Sequence, residues 1–277
     1  MIEYSELSSF LGAATKADAA CPLCGPLCRT PANRNRRVLR LWWLSDIAIS
    51  FHCARCEAKG YAIDFKGKAR SDEERQAWKQ KVAEARRAET DERKRKQRVV
   101  EWLWQQACPV QGTLGETYFR RYRAITCPLP PSMRFVGATA RYPAAVLMPF
   151  LDAAGRLRGL HLTRLNPDGS KLDKRMLGAD TVGCPLVCAE PEGSCHLAIT
   201  EGIEDALSLF QAVGVAAWAA GSAGRLPALA ARVPAWARQV TIVEDDDQPG
   251  HNAARELHRR LIRQRRDVVT LSVAEEA

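Results

Sequence analysis

The sequence contains no apolar run long enough to cross a bilayer. Its most apolar stretch, Ala206 to Gly221, is interrupted by Gln211 and falls short of the roughly 20 residues that a spanning helix needs. The opening residues, MIEYSELSSF, lack the basic start and apolar core of a secretory leader, so the cytoplasm is the expected compartment and a membrane is not an expected partner. There is no internal repeat and no proline anywhere in 66–98. A Gly-x4-Gly-Lys-Ser/Thr phosphate loop is also absent, which argues against a helicase motor in this sequence.

What is present is 277 residues with a formal net charge of +9 and a pI near 9.2. That length accommodates two compact domains, or one with an appendage. The charge favours a polyanionic partner, nucleic acid above all, although a solvated basic face would give the same total. Ten cysteines in an intracellular chain point to metal binding or buried thiols rather than to disulfides.

Four of those cysteines form two Cys-x-x-Cys pairs, Cys21/Cys24 and Cys53/Cys56. Each pair makes a tight knuckle offering two thiolates, and two knuckles complete a tetrahedron around Zn²⁺. The 28 residues between the pairs exceed the usual ribbon spacing, so an extra turn is expected there. Val38 to Trp43 and Ile47 to Phe51 read as a hairpin turning at Ser45-Asp46. Cys28 and His52 lie close enough in sequence to replace a ligand. Cys184, Cys188 and Cys195 with His196 could make a second site, or be buried thiols like Cys108 and Cys127. Arg29, Arg34, Arg36, Arg37 and Arg40 with Trp42 and Trp43 suit single-stranded DNA, since cations track phosphates and indoles stack on bases. Alternatively a tryptophan packs the small core and the arginines are solvated.

From Lys66 to Arg98 the composition becomes charged, with 13 Lys/Arg against 7 Asp/Glu, and predicts a long polar helix or tether running into the more apolar Val99 to Ala107. Residues from about 110 to 190 read as a mainly β module with short helices. Its signals are Ala145 to Phe150, a turn at Asp152 to Gly155, and Arg158 to Arg164. Beyond Cys195, short apolar strands at Leu197 to Thr200, Val215 to Trp218, Val240 to Val243 and Val268 to Val273 alternate with helices at 203–213, about 225–232 and 251–264. This is the pattern of a parallel sheet wrapped by helices.

Glu201 directly follows the first of those strands, and Glu244-Asp-Asp-Asp247 follows the third. In open α/β sheets, ligands bind at the carboxyl ends of the strands. Side chains alternate along an extended segment, so Asp245 and Asp247 share a direction that Asp246 does not. Such carboxylates are costly together unless a hard cation such as Mg²⁺ or Mn²⁺ neutralises them. The same run of acids would also suit an exposed helix N-terminus.

Glu201-Gly-Ile-Glu-Asp205, Gly221-Ser-Ala and Asp245-Asp-Asp247-Gln-Pro-Gly250 together resemble the Toprim domain of bacterial-type primases, topoisomerases and certain nucleases. The resemblance covers 195–277. It implies that Glu201 is the general acid/base or a metal-linked carboxylate, that Asp245 and Asp247 are the metal-binding pair, and that Asp205 is the secondary acid of the same Mg²⁺ site. Upstream, Pro149-Phe-Leu-Asp152, Gly155-Arg-Leu-Arg158-Gly159 and Arg164, then Lys171, Lys174 and Arg175, look like the basic half of a primase core. There Arg156, Arg158, Arg164, Lys171, Lys174 and Arg175 would hold nucleotide and template, although ordinary exposed charges remain the alternative. Tyr118 to Ile125 and Ser132 to Phe135 resemble the start of that region in primases of phages and other mobile elements.

The expected architecture is α/β in four parts: a zinc ribbon at 15–65, a charged helical linker at 66–108, a mixed α+β basic subdomain at 109–194 and a Toprim domain with a Rossmann-like parallel sheet at 195–277. The resemblance implies a DNA primase that makes short RNA primers on single-stranded DNA from nucleoside triphosphates. It would carry structural Zn²⁺ and catalytic Mg²⁺ or Mn²⁺ and work beside a separate replicative helicase. Two alternatives stay open, a Toprim-type nuclease and a non-enzymatic zinc-dependent single-stranded DNA-binding adaptor.

Overall fold

The computed structural model describes residues 2–28, 30–64, 72–191 and 193–273; Arg29 and the start of the expected charged segment, 66–71, lie outside them. The chain forms two compact units, Met1–Glu92 and Arg93–Ala277. No helix among the described residues is long and apolar enough to cross a membrane.

In the first unit, helix α1 (Tyr4–Leu11) precedes an antiparallel sheet of β1 (Lys16–Ala20), β2 (Arg37–Ser45), β3 (Ala48–Cys53) and β4 (Lys59–Ile63), paired in chain order. Strand periodicity sorts its side chains. Leu39, Leu41, Ile49 and Phe51 pack with Leu7 and Leu11 of α1 into one small core, whereas Arg40, Trp42 and His52 take the other face. The expected hairpin is β2–β3. The core also uses Ile2 and α1, residues that precede the expected start of the module at 15. The extra turn in the long loop between the cysteine pairs is the one-turn helix α2 (Pro31–Arg34). Thr30 caps it by accepting from the Asn33 amide, with Pro31 at its first position.

Helix α3 (Asp72–Gln106) carries the charged segment, and the division between the units falls within it. Its last turns belong to the second unit. Val100 is fully buried there against Ala145, Leu147, Leu160 and Leu162, and Arg134 stacks 4.2 Å over the Trp104 ring.

The second unit contains two sheets. The first runs β5 (Cys108–Pro109), β6 (Arg134–Val136), β7 (Ala145–Leu151), β8 (Leu157–Leu165) and β9 (Lys171–Gly178), all antiparallel, with a short helix α4 (Leu114–Thr117) and a π-helical turn at Tyr118–Tyr122 between β5 and β6. The second takes β10 (Leu186–Ala189), β11 (His196–Thr200), β12 (Ala216–Ala219), β13 (Gln239–Asp245) and β14 (Asp267–Val273) in the order β10-β12-β11-β13-β14. Helices α5 (Ile203–Val213), α6 (Leu226–Leu229) and α7 (Gln248–Arg263) connect its strands, with 3₁₀ turns either side of α6.

Strands β11 to β14 pair in parallel and β10 adds antiparallel to β12, so the sequence boundary at 194/195 falls within one sheet. One core spans both sheets, with Val146, Met148 and Phe150 of β7 packing with Leu186, Ile203 and Leu207. The chain leaves β11 toward β12 on one side and returns to β13 on the other. The order therefore reverses at β11/β13, and ligands in such sheets bind outside the carboxyl ends of strands at that reversal.

Candidate active site and thiol cluster

Glu201 and Asp245 stand at that reversal, at the carboxyl ends of β11 and β13. Gly202 follows as the N-cap of α5. A Cβ there would lie 2.3 Å from Oδ2 of Asp205, so the glycine lets that carboxylate fold back over the helix start. Gly250 has a similar role in the first turn of α7, where a Cβ would lie 2.6 Å from the Asp245 carbonyl oxygen.

The four acids that follow β13 divide by direction. Glu244 and Asp246 both turn to His251, at 2.8 Å from Nδ1 and 3.3 Å from Nε2, and the Ser272 hydroxyl donates to Glu244 at 2.6 Å. This raises the His251 pKa, through the Glu244 hydrogen bond first. Asp245 faces the other way. Its carboxyl is pushed up to about 6, by burial first, then by the charges of Glu201 and Asp205, with a smaller contribution from Asp247. Asp247 caps α7, accepting from the Gly250 amide at 2.7 Å through Oδ1. Asp205 keeps more than a third of its surface open to solvent, yet burial of its carboxyl and the neighbouring Glu204 raise its pKa.

Opposite these acids stands β9. Lys174 Nζ reaches Glu201 at 3.4 Å and Lys171 Nζ reaches Glu204 at 2.7 Å. Two lysines three positions apart on a regular strand would face opposite ways. Here the pairing slips, with Arg164 opposite Asp173 but Leu165 opposite Lys171, and the bulge at Leu172 turns both lysines to one face. The remaining cations of this region pair with other carboxylates, two to each. Arg156 and Arg158 both bind Asp152, at 2.9 and 2.8 Å, and its carboxyl is held well below the usual range by the Arg156 backbone amide first and by these side chains after it. Arg164 and Arg175 share Asp173.

Glu204 is a site residue that the sequence did not single out. Burial opposes its ionisation, but Lys171 and the Tyr118 hydroxyl, which donates at 2.6 Å, outweigh that and bring its pKa down to about 2. Arg123 in turn donates to Tyr118 at 2.8 Å. Only proximity across 33 and 86 residues reveals this chain of contacts. His161 on β8 is buried beside the same charges, and burial pushes it down to about 4, so it is neutral at physiological pH.

In the first unit the Sγ atoms of Cys21, Cys24, Cys53 and Cys56 all lie within 4.8 Å of one another. Cys24 to Cys53 is 3.7 Å and Cys21 to Cys56 is 3.9 Å. Zn–S bonds of about 2.3 Å in a tetrahedron require sulfur separations of about 3.8 Å, so the cluster is consistent with zinc. The amides of Arg55 and Cys56 point at Cys53 Sγ, as a thiolate acceptor needs. Burial and the neighbouring thiols push Cys24 up to about 12, a crowding that a cation would relieve. Cys28 stands apart, its thiol donating to the Cys24 carbonyl and accepting from Arg55 at 2.8 Å. His52 pairs with Glu57. Among the described residues no other group of three or more His, Cys, Asp or Glu side chains converges this tightly, whether the acids at β11/β13 or Cys184, Cys188 and Cys195 with His196. Trp43 packs on the core against Tyr4, and Trp42 lies on the opposite face, half-buried. Arg36 and Arg37 are exposed.

Fold and motif together define a Toprim domain: residues 196–277 match the Toprim domain family, and residues 94–183 match a domain of unknown function, DUF7146. Among solved structures the chain is similar to the zinc-binding and RNA polymerase domains of the Aquifex aeolicus primase, at 16% identity, 99% of this chain, 77% of that chain and a TM-score of 0.43. It is also similar to the primase fragment of the bacteriophage T7 primase-helicase protein, at 15% identity, 50% of this chain, 57% of that chain and a TM-score of 0.39. For the E. coli primase catalytic core the values are 18%, 52%, 50% and 0.35. The chain spans about half the length of the T7 and E. coli chains. No curated protein matches it.

Proposed function

We propose that this chain is a DNA primase that joins nucleotides into short RNA primers on single-stranded DNA. The observation that carries the reading is the placement of Lys171 and Lys174 on one face of β9, against Glu204 and Glu201, within the unit that holds the Toprim motif. A site of acids alone would suit a metal, whereas acids faced by lysines also suit a nucleoside triphosphate.

Glu201 and Asp245, with one oxygen of Asp247, would hold Mg²⁺ or Mn²⁺; Mg²⁺ commonly takes one or two carboxylates and completes its shell with water and phosphate. The ion's contribution is to neutralise charge on the phosphates during nucleotidyl transfer. Lys171 and Lys174 would exchange a carboxylate for the incoming phosphates and hold them for in-line displacement, which needs positioning and charge rather than a protein nucleophile. Asp205 and Glu204 would keep the lysines and the α5 N-terminus in register. The four-cysteine module would hold structural Zn²⁺, with Arg36, Arg37 and Trp42 offered to the template. Arg156, Arg158, Arg164 and Arg175 would contribute only by leaving Asp152 or Asp173.

The test is synthesis on single-stranded DNA with labelled nucleoside triphosphates and Mg²⁺. Oligonucleotide products that disappear in Asp245→Ala/Asp247→Ala are expected. Cleavage of single-stranded circles without synthesis would replace the reading with a Toprim nuclease, and DNA binding without either reaction would replace it with an adaptor.

A further inference from the structure

Every sheet edge exposes unpaired backbone groups, and proteins guard them with short strands, bulges, proline or charge. Five of the six edges here are guarded. The β1 edge has a register shift and Lys16 and Asp18; β4 has Lys59 and Gly60 in five residues; β5 is two residues long and ends on Pro109; β9 has its bulge and four charged side chains; β10 is four residues long and irregular. The sixth, β14, has none of these. Its seven residues, Asp-Val-Val-Thr-Leu-Ser-Val, pair with β13 without a bulge, carry no charge after Asp267, and meet no strand on the outer side among the described residues.

Its two faces are distinct. Thr270 accepts from or donates to His258 of α7 and Ser272 donates to Glu244, so this set faces the helix. Val269 and Leu271 point to the other face and are 51% and 48% exposed. On the helix side a groove of about 890 Å³ runs between Thr270 and Glu244, the latter held by Ser272 and His251, and a wall made by Arg255, Arg259, Ile262 and Arg263 of α7. The arginines recur at four-residue steps, so they form one row, about 6 Å apart along the helix. Arg259 pairs with Glu256, which also feels the charge of Arg263, whereas Arg255 and Arg263 make no ion pair within 4 Å and no hydrogen bond among the described residues.

We propose that the outer edge of β14 accepts an extended acidic peptide of a partner protein as an added strand. The backbone of such a strand would pair with β14, its acidic side chains would lie over the arginine row, and the alternate apolar ones would extend the Val269/Leu271 face. The partner segment therefore alternates acidic and apolar residues. A second copy of this chain fits poorly, because antiparallel β14–β14 pairing would set the two arginine rows side by side on one face. This binding does not depend on the nucleotide chemistry proposed above.

Fluorescence anisotropy with the full chain tests the proposal, using fluorescein-labelled Glu-Val-Glu-Val-Glu-Val-Glu as probe. The same peptide with lysine for glutamate, and one with a central proline, serve as controls. Saturable binding of the acidic peptide alone is expected, weakened at least tenfold by Leu271→Lys and by Arg255→Glu/Arg263→Glu, with slowed hydrogen exchange at the β14 amides. These side chains are exposed, so the variants leave the core untouched. The proposal is overturned if the acidic peptide does not saturate, if the proline peptide binds equally, or if both variants retain affinity. It is also overturned if sedimentation shows a dimer that the peptide does not dissociate, or if a single-stranded oligonucleotide, not the peptide, is what the variants lose.

Discussion

Asp245 is the acid whose ionisation the site most resists. Burial and the facing Glu201 hold its pKa at about 6. A carboxyl raised above its unfolded value near 3.9 stabilises the fold below that value, and this contribution is lost as pH rises to about 6. In the metal-free chain, stability should therefore fall between pH 4 and 6, and Asp245→Asn should flatten that slope; thermal melts across the range with EDTA check it, and an unchanged slope would contradict the assignment. Asp247 carries a second duty as the cap of α7. Asp247→Ala is expected to lose about 1 kcal/mol of stability, whereas Asp247→Asn keeps the cap, so chemical denaturation separates capping from metal binding. At this scale the placement of Glu201 and Asp245 at neighbouring strand ends was legible in the sequence. The partnership of Glu204 with Lys171 and Tyr118 was not, because nothing local to Glu204 announces residues so far away in sequence.

Among elements, the strand and helix pattern beyond residue 195 was readable because each strand is a short apolar run and each helix has its own periodicity. The β9 bulge was not. Slippage at Leu172 depends on tertiary pairing, yet it decides which of the six cations in 156–175 meet the acidic site. α1 was missed for a similar reason, since eight residues with Leu7 and Leu11 gain their stability from the zinc-module core rather than from their own propensity. That core is small, so the thiol cluster should dominate its folding; structural zinc sites contribute about 10–16 kcal/mol. One equivalent of zinc is expected in the purified chain, lost in Cys53→Ser and retained in Cys28→Ser, as zinc release to a chromogenic chelator would show. Equal loss in both variants would bring Cys28 into the ligand set.

Across the second unit, an antiparallel sheet and a mostly parallel one share a core, and the β9 lysines stand against Glu204 and Glu201 of the other sheet's carboxyl edge. The composition suggested a polyanionic partner, but four of the six cations in 156–175 are paired, two to a carboxylate, with Asp152 and Asp173. What distinguishes the site is the sign reversal across a few ångströms rather than the total of +9. The proposed chemistry requires Glu201 and Asp245 to take up a divalent cation. Titrating Mn²⁺ into the zinc-loaded chain, followed by electron paramagnetic resonance, measures this directly. At least one bound Mn²⁺ in the parent chain, absent in Asp245→Asn, is the expected result; identical Mn²⁺ binding by the two proteins, or none by either, would contradict it.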